Sequence, residues 1–189
     1  YELPEYSEIE GENWSISNWL SPVTICDGVV YSKGGTSLFA LDAATGTLKW
    51  EKTTDNDQWF HIYSCIAVAE GVVYSLKQEL GRYGSPFICA YNAETGDLIW
   101  DRTFRDVITD DDLRRDVTPD EIHINIEDFA VSNKRILVSL TFNNPDGMAS
   151  GRILALDAKT GDIIWEYSKN GKPVDEVFGT LVVAGNMVY

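Results

Sequence analysis

The stretch ALDAATGTLKW (Ala40–Trp50) returns as AYNAETGDLIW (Ala90–Trp100) and again as ALDAKTGDIIW (Ala155–Trp165). All three copies fit A-x-(D/N)-A-x-T-G-x-x-x-W. The residues just before each phrase are apolar and strand-like: SLFALD, FICAYN and RILALD. Those just after Thr-Gly are strand-like too and run through the tryptophan: TLKWEK, DLIWDR and DIIWEY. Between the two runs sits a short polar break with a glycine, the chemistry of a tight turn that needs a positive φ. Each phrase therefore reads as a β-hairpin.

A weaker repeat precedes each phrase. SPVTICDGVVY (Ser21–Tyr31), SCIAVAEGVVY (Ser64–Tyr74) and EDFAVSNKRIL (Glu127–Leu137) align, with GTLVVAGNMVY (Gly179–Tyr189) as a fourth copy. Each is two apolar runs split by a two-residue turn: Asp27-Gly28, Glu70-Gly71, Asn133-Lys134 and Gly185-Asn186. One unit is thus two successive hairpins, or four antiparallel strands A, B, C and D. Runs such as LFAL and ILAL are apolar on both faces, whereas a sheet with one wet face alternates. Both faces must be covered by neighbouring sheets. Four-stranded sheets stacked around an axis make an all-β propeller, and that is the fold expected here. The expected blades are about 19–55, 60–104, 122–169 and an incomplete 176–189, after an acidic lead-in over 1–18.

The phrase resembles the blade signature of the quinoprotein-type, or PQQ-like, propellers. Relatives of that kind include quinoprotein dehydrogenases, the propeller lipoprotein of the outer-membrane β-barrel assembly machine, and sensor domains of some kinases. The resemblance covers roughly residues 19–189. It implies that the tryptophan docks between adjacent blades, a role that falls on Trp50, Trp100 and Trp165. Gly46, Gly96 and Gly161 with Asp42, Asn92 and Asp157 then shape the turns. These are scaffold residues, and the repeat itself carries no chemistry.

The chain has 189 residues and a net charge of −15. An acidic surface repels phosphate backbones and anionic lipid, so nucleic acid and membrane surfaces are poor partners. No window reaches the roughly 20 apolar residues of a membrane helix, and no signal-peptide pattern opens the chain. Cys26, Cys65 and Cys89 are far apart, and His61 and His123 are isolated, so a zinc site has no support. The cysteines read as small apolar fillers in strands.

Departures from the repeat are more informative. Gly71 follows Trp50 by 21 residues and Asn186 follows Trp165 by 21, but Lys134 follows Trp100 by 34. Thirteen extra residues therefore lie between strand D of the second unit and strand A of the third. Strands B and C are also further apart in the second and third units, around KQELGRYGSPF (Lys77–Phe87) and TFNNPDGMASG (Thr141–Gly151). In an up-and-down blade the D–A and B–C loops leave the same end of the sheet. All three insertions should decorate one face, and such a face marks binding. Its candidate residues are Arg82, Tyr83, Arg105, Asp110, Asp111, Asp112, Arg114, Arg115, Asn143, Asn144 and Asp146. Within the longest insertion, Thr109 before three aspartates and Thr118-Pro119-Asp120-Glu121 both read as helix starts. The acidic triplet lacks the alternating oxygens and the glycine of an EF-hand, so no metal is expected there. Asn13-Trp14-Ser15 is a glycosylation sequon by pattern.

Three units and the first two strands of a fourth fall short of the about four to eight blades of a closed ring. The remaining blades of the same or another chain are therefore expected partners. No nucleophile–base pair, metal cluster or phosphate loop is visible. The expected function is a non-catalytic module that binds other proteins or a small ligand on the long-loop face, with no cofactor. The resemblance leaves two alternatives. One is part of a quinone-dependent dehydrogenase holding PQQ with calcium. That reading lacks the adjacent cysteine pair found in many members, and Trp14, Trp19 and Trp59 lie outside the repeat with no recognisable cofactor context. The other is a sensor ectodomain. A periplasmic or cell-surface location is implied by the resemblance alone.

Overall fold

The computed structural model describes residues 22–34, 36–53, 58–60, 66–79, 85–108, 118–143, 145, 149–167, 181, 183–184 and 187–188. The lead-in over 1–18 lies outside them. The first blade is β1 (Thr24–Cys26), β2 (Val29–Gly34), β3 (Ser37–Asp42) and β4 (Leu48–Thr53), paired in chain order and antiparallel throughout. The second blade holds β5 (Gln58–Phe60), β6 (Ala67–Ala69), β7 (Val72–Glu79), β8 (Pro86–Asn92) and β9 (Leu98–Thr103). The third is β10 (His123–Ser132), β11 (Arg135–Asn143), β12 (Ala149–Asp157) and β13 (Ile163–Tyr167). The short hairpin β14 (Val183–Ala184) and β15 (Met187–Val188) begins a fourth.

The A–B turns form as the sequence dictates. Asp27-Gly28 and Glu70-Gly71 each place both residues at positive φ, 49° and 74° in one and 49° and 77° in the other. Two left-handed residues in a two-residue loop match the twist of the flanking strands. In the third blade the same turn is Asn133-Lys134, at 50° and 61°, where lysine occupies the glycine position.

The second blade departs from the four-strand expectation. Its innermost strand is two pieces, both paired with the long β7: β6 along the start (Ala67↔Tyr74) and β5 along the end (Phe60↔Lys77). In the third blade one ten-residue strand, β10, covers the same span, kept in register by a bulge at Glu127. A bulge of that kind re-aims a strand without ending its ladder.

Both faces of the middle strands are buried, as the two-sided apolar runs require. Between the second and third blades lies the larger core, including Leu76 and Ile88 on one side and Val138, Leu140 and Leu154 on the other. Between the first and second lies a smaller one, with Tyr31, Leu38, Ala40 and Trp50 against Val73, Cys89 and Tyr91. Two cysteines sit in strands as expected: Cys89 is buried in β8 and Cys26 half-buried in β1, both as free thiols. Cys65 lies outside the described residues.

Candidate functional site: the blade seams and the long-loop face

Each residue type of the repeated phrase has a place in the seams. Ala40, Ala90 and Ala155 are cross-strand partners of Trp50, Trp100 and Trp165, and all three alanines are fully buried. Asp42 Oδ1 accepts the Ala44 and Thr45 backbone N–H groups at 3.1 and 2.8 Å, and the Thr45 hydroxyl at 2.8 Å. These hydrogen bonds, led by the Thr45 hydroxyl, hold the Asp42 carboxyl below its ordinary pKa. Asn92 and Asp157 bind their own turns the same way, to Glu94 and Thr95 and to Lys159 and Thr160. The second alanine ties the hairpins of one blade together. The N–H groups of Ala43, Ala93 and Ala158 donate to the carbonyls of Gly28, Gly71 and Lys134 at 2.8, 2.9 and 3.0 Å.

The same alanines receive the neighbouring blade. Trp50 Nε1–H donates to the Ala93 carbonyl at 2.9 Å, and the Tyr31 hydroxyl reaches that oxygen at 3.4 Å. One blade on, Trp100 Nε1–H and the Tyr74 hydroxyl reach the Ala158 carbonyl at 3.2 and 3.1 Å. Each tyrosine and tryptophan are neighbours on one blade, with ring centroids 6.0 and 6.1 Å apart. The glycine of the next turn lies under the indole. A Cβ on Gly96 would sit 2.7 Å from Trp50, and one on Gly161 would sit 2.8 Å from Trp100. Positive φ and the flat seat both demand glycine there. Lys52 adds an exposed ion pair to Asp97 across the first seam at 3.0 Å. In the third blade Leu137 stands where Tyr31 and Tyr74 stand, and Trp165 is 37% exposed against 7% for Trp50.

The two seams also differ inside the core. Lys33 is fully buried in the first, its Nζ 3.4 Å from Ser75 Oγ, where the second seam has Leu76. Cys89 lies on the same face of the second blade, and burial pushes its thiol pKa up to about 12. Lys77 stands nearby over the Phe87 ring at 5.2 Å and pairs with Asp101 at 3.5 Å. Lys33 escaped the sequence reading, yet a signal was present. With period two it shares a face with Tyr31, just as Leu76 shares one with Tyr74.

The three insertions leave one end of the sheets. Arg105 follows β9 and donates from Nε to Ser85 Oγ, in the β7–β8 connection, at 2.8 Å. At the far end of the same insertion, His123 opens β10 opposite Asn143, and Asn143 in turn opposes Ala149 across the β11–β12 connection. Of the residues expected on this face, Arg105 and Asn143 are described. Arg82, Tyr83, Asp110, Asp111, Asp112, Arg114, Arg115, Asn144 and Asp146 lie outside the described residues, as does the helix start expected at Thr109. The start expected at Thr118 is a single 3-10 turn, Pro119–Glu121. Glu121 Oε2 accepts the Thr118 backbone N–H at 2.8 Å and its hydroxyl at 3.0 Å, which holds the Glu121 carboxyl below its ordinary pKa.

Among the described residues, no group of three or more His, Cys, Asp or Glu is placed to hold a metal ion. Among the described residues no helix is long and apolar enough to cross a membrane.

Solved structures share the fold. The chain is similar to a quinohemoprotein alcohol dehydrogenase from Comamonas testosteroni, at 18% identity and a TM-score of 0.52 over 78% of this chain and 20% of that one. It is similar to the quinohemoprotein alcohol dehydrogenase ADHIIG from Pseudomonas putida HK5, at 23% identity and a TM-score of 0.55 over 77% and 26%. A europium-containing methanol dehydrogenase aligns at 18% identity and a TM-score of 0.54 over 82% and 26%. The chain thus spans between a fifth and about a quarter of the length of these structures, and the likeness is one of fold alone. No curated protein matches it. A family model does match, over residues 10–189, and the chain belongs to that family, described as outer membrane protein assembly factor BamB and built of PQQ-type propeller blades.

Proposed function

We propose that this chain is a non-catalytic propeller module that binds other proteins through the face carrying its long loops. One observation carries the reading. The polar groups of the repeated phrase are engaged in turns and seams, while every departure from the repeat's spacing leads to the same end of the blades. The described parts of that end carry Arg105, Asp106, Asp120, Glu121 and Asn143, a polar and charged surface of the kind that adapts to protein partners. The family description, an assembly factor of the outer membrane, favours a protein partner over a substrate. It also favours a periplasmic or cell-surface location. The remaining blades of the ring are further partners, and the exposed Trp165 is where one would dock.

The test replaces residues 109–117 with a glycine–serine linker in the complete protein and compares the partners retained on an affinity column. Changes at Glu70 and Lys134, on the opposite face, serve as the control. Loss of partners on loop replacement alone supports the reading. Partners lost only through the Glu70 and Lys134 changes would contradict it. So would tight stoichiometric binding of PQQ with calcium in a calorimetric titration, which would move the protein to the quinone-dependent class.

A further inference from the structure

The insertion between the second and third blades is pinned at both ends. Leaving β9, the chain buries Phe104 and Val107 in the core between those blades and forms one 3-10 turn, Arg105–Val107. Arg102 on β9 holds that turn through Asp106 at 2.7 Å. Returning, the chain forms the Thr118–Glu121 turn and buries Ile122 and Ile124 in the same core. The loop between β7 and β8 closes separately: the Glu79 N–H donates to the Ser85 carbonyl at 3.1 Å, and the Ser85 N–H donates to Glu79 Oε2 at 3.2 Å.

A single side chain joins these three segments. Arg105 donates from Nε to Ser85 Oγ at 2.8 Å, and from Nη1 to the carbonyls of Pro119 at 3.0 Å and Ile122 at 3.3 Å. A guanidinium can do this because its N–H groups form a rigid planar fork pointing in several directions. An ammonium at the end of a lysine is one point, so it reaches the hydroxyl or the carbonyls but not both sets.

We infer that Arg105 is a clasp that ties the Ser85 end of the β7–β8 connection to both ends of the β9–β10 insertion, so that a partner bound at either connection is felt at the other. This deepens the proposed binding role and rests on it for its meaning, but the clasp itself does not depend on any ligand. Arg105 is a positioning residue on this account. Its side chain holds the face together.

Native-state hydrogen exchange on the complete protein, with no ligand added, tests the clasp. Arg105→Ala removes every arm and should speed exchange at the Glu79 and Ser85 amides and at Glu121 and Ile122 together, on the order of tenfold or more. The amides of Val138 and Leu154, deep in β11 and β12, should not change. Ser85→Ala cuts one arm of the clasp and should speed Glu79 and Ser85 while sparing Ile122. Faster exchange on one side only in Arg105→Ala would overturn the inference, as would no change in either variant. Because no partner enters the measurement, failure of the binding role and failure of the clasp are separable.

Discussion

The indole of Trp50 lies against Gly96 of the next blade so closely that a Cβ on that glycine would fall 2.7 Å from the ring. The same relationship joins Trp100 to Gly161. Two residues whose positions in the repeated phrase are four apart thus meet across a seam, in different copies of it. The middle copy is both the socket of the first seam, through Gly96, and the plug of the second, through Trp100.

Alanine at Gly96 meets two penalties, a left-handed φ of 72° and the indole. Gly96→Ala should therefore cost about 2–5 kcal/mol. Gly71 lies in the same blade at a φ of 77° with nothing within 4 Å of the added carbon, so Gly71→Ala should cost only about 1–2 kcal/mol. Urea unfolding of the two variants measures the difference, and equal costs would remove the seat.

Removing a docked indole opens a cavity. Trp50→Ala should cost about 3–5 kcal/mol, and Trp50→Phe less, with about 1 kcal/mol of its loss due to the Ala93 hydrogen bond. Trp165→Ala should cost less than Trp50→Ala because its indole is 37% exposed. Thermal melts of the three variants rank them, and equal losses at Trp50 and Trp165 would contradict the ranking.

Lysine at position 134 sits at a φ of 61°, where the first and second blades have glycine. Lys134→Gly should raise stability by about 0.5–1 kcal/mol, relief of left-handed strain outweighing the extra chain entropy of glycine. A lower unfolding midpoint would show that the side chain holds something the turn needs.

Stability should fall at both ends of the pH range. The carboxyls of Asp42, Asp97 and Glu121 have pKa values lowered in the fold, so their contribution is present above the ordinary carboxylate pKa. It is lost as pH falls through the folded values. Cys89 works oppositely: its thiol pKa is raised from 9.0 to about 12, so the native state keeps a proton that the unfolded chain sheds. The Cys89 contribution is therefore level below pH 9 and declines from there toward pH 12. Cys89→Val should flatten that alkaline decline in denaturant titrations, and an unchanged slope would assign the decline to other groups.

Much of this was readable in the sequence, for physical reasons. A two-residue turn such as Asp27-Gly28 announces its left-handed backbone, and a run such as LFAL announces a strand covered on both sides. The turn roles of Asp42 and Gly46 follow from chemistry local to the phrase. What escaped depends on neighbours far along the chain. Nothing local to Ala93 marks its carbonyl as the acceptor for an indole 43 residues earlier. Arg105 looks like a surface cation until Ser85 and Ile122 are brought to it. The split of the second blade's inner strand into β5 and β6 is also hidden, because both pieces take their register from β7.

The most direct test is a double-mutant cycle between Trp50 and Gly96, with both single variants and the double variant unfolded by urea. If the indole is seated on the glycine, the methyl of Gly96→Ala has nothing to strike once Trp50 is alanine. The two costs should then fall short of additivity by about 1–3 kcal/mol. Additivity to within about 0.5 kcal/mol would mean the two residues do not meet, and the repeated phrase would need another explanation.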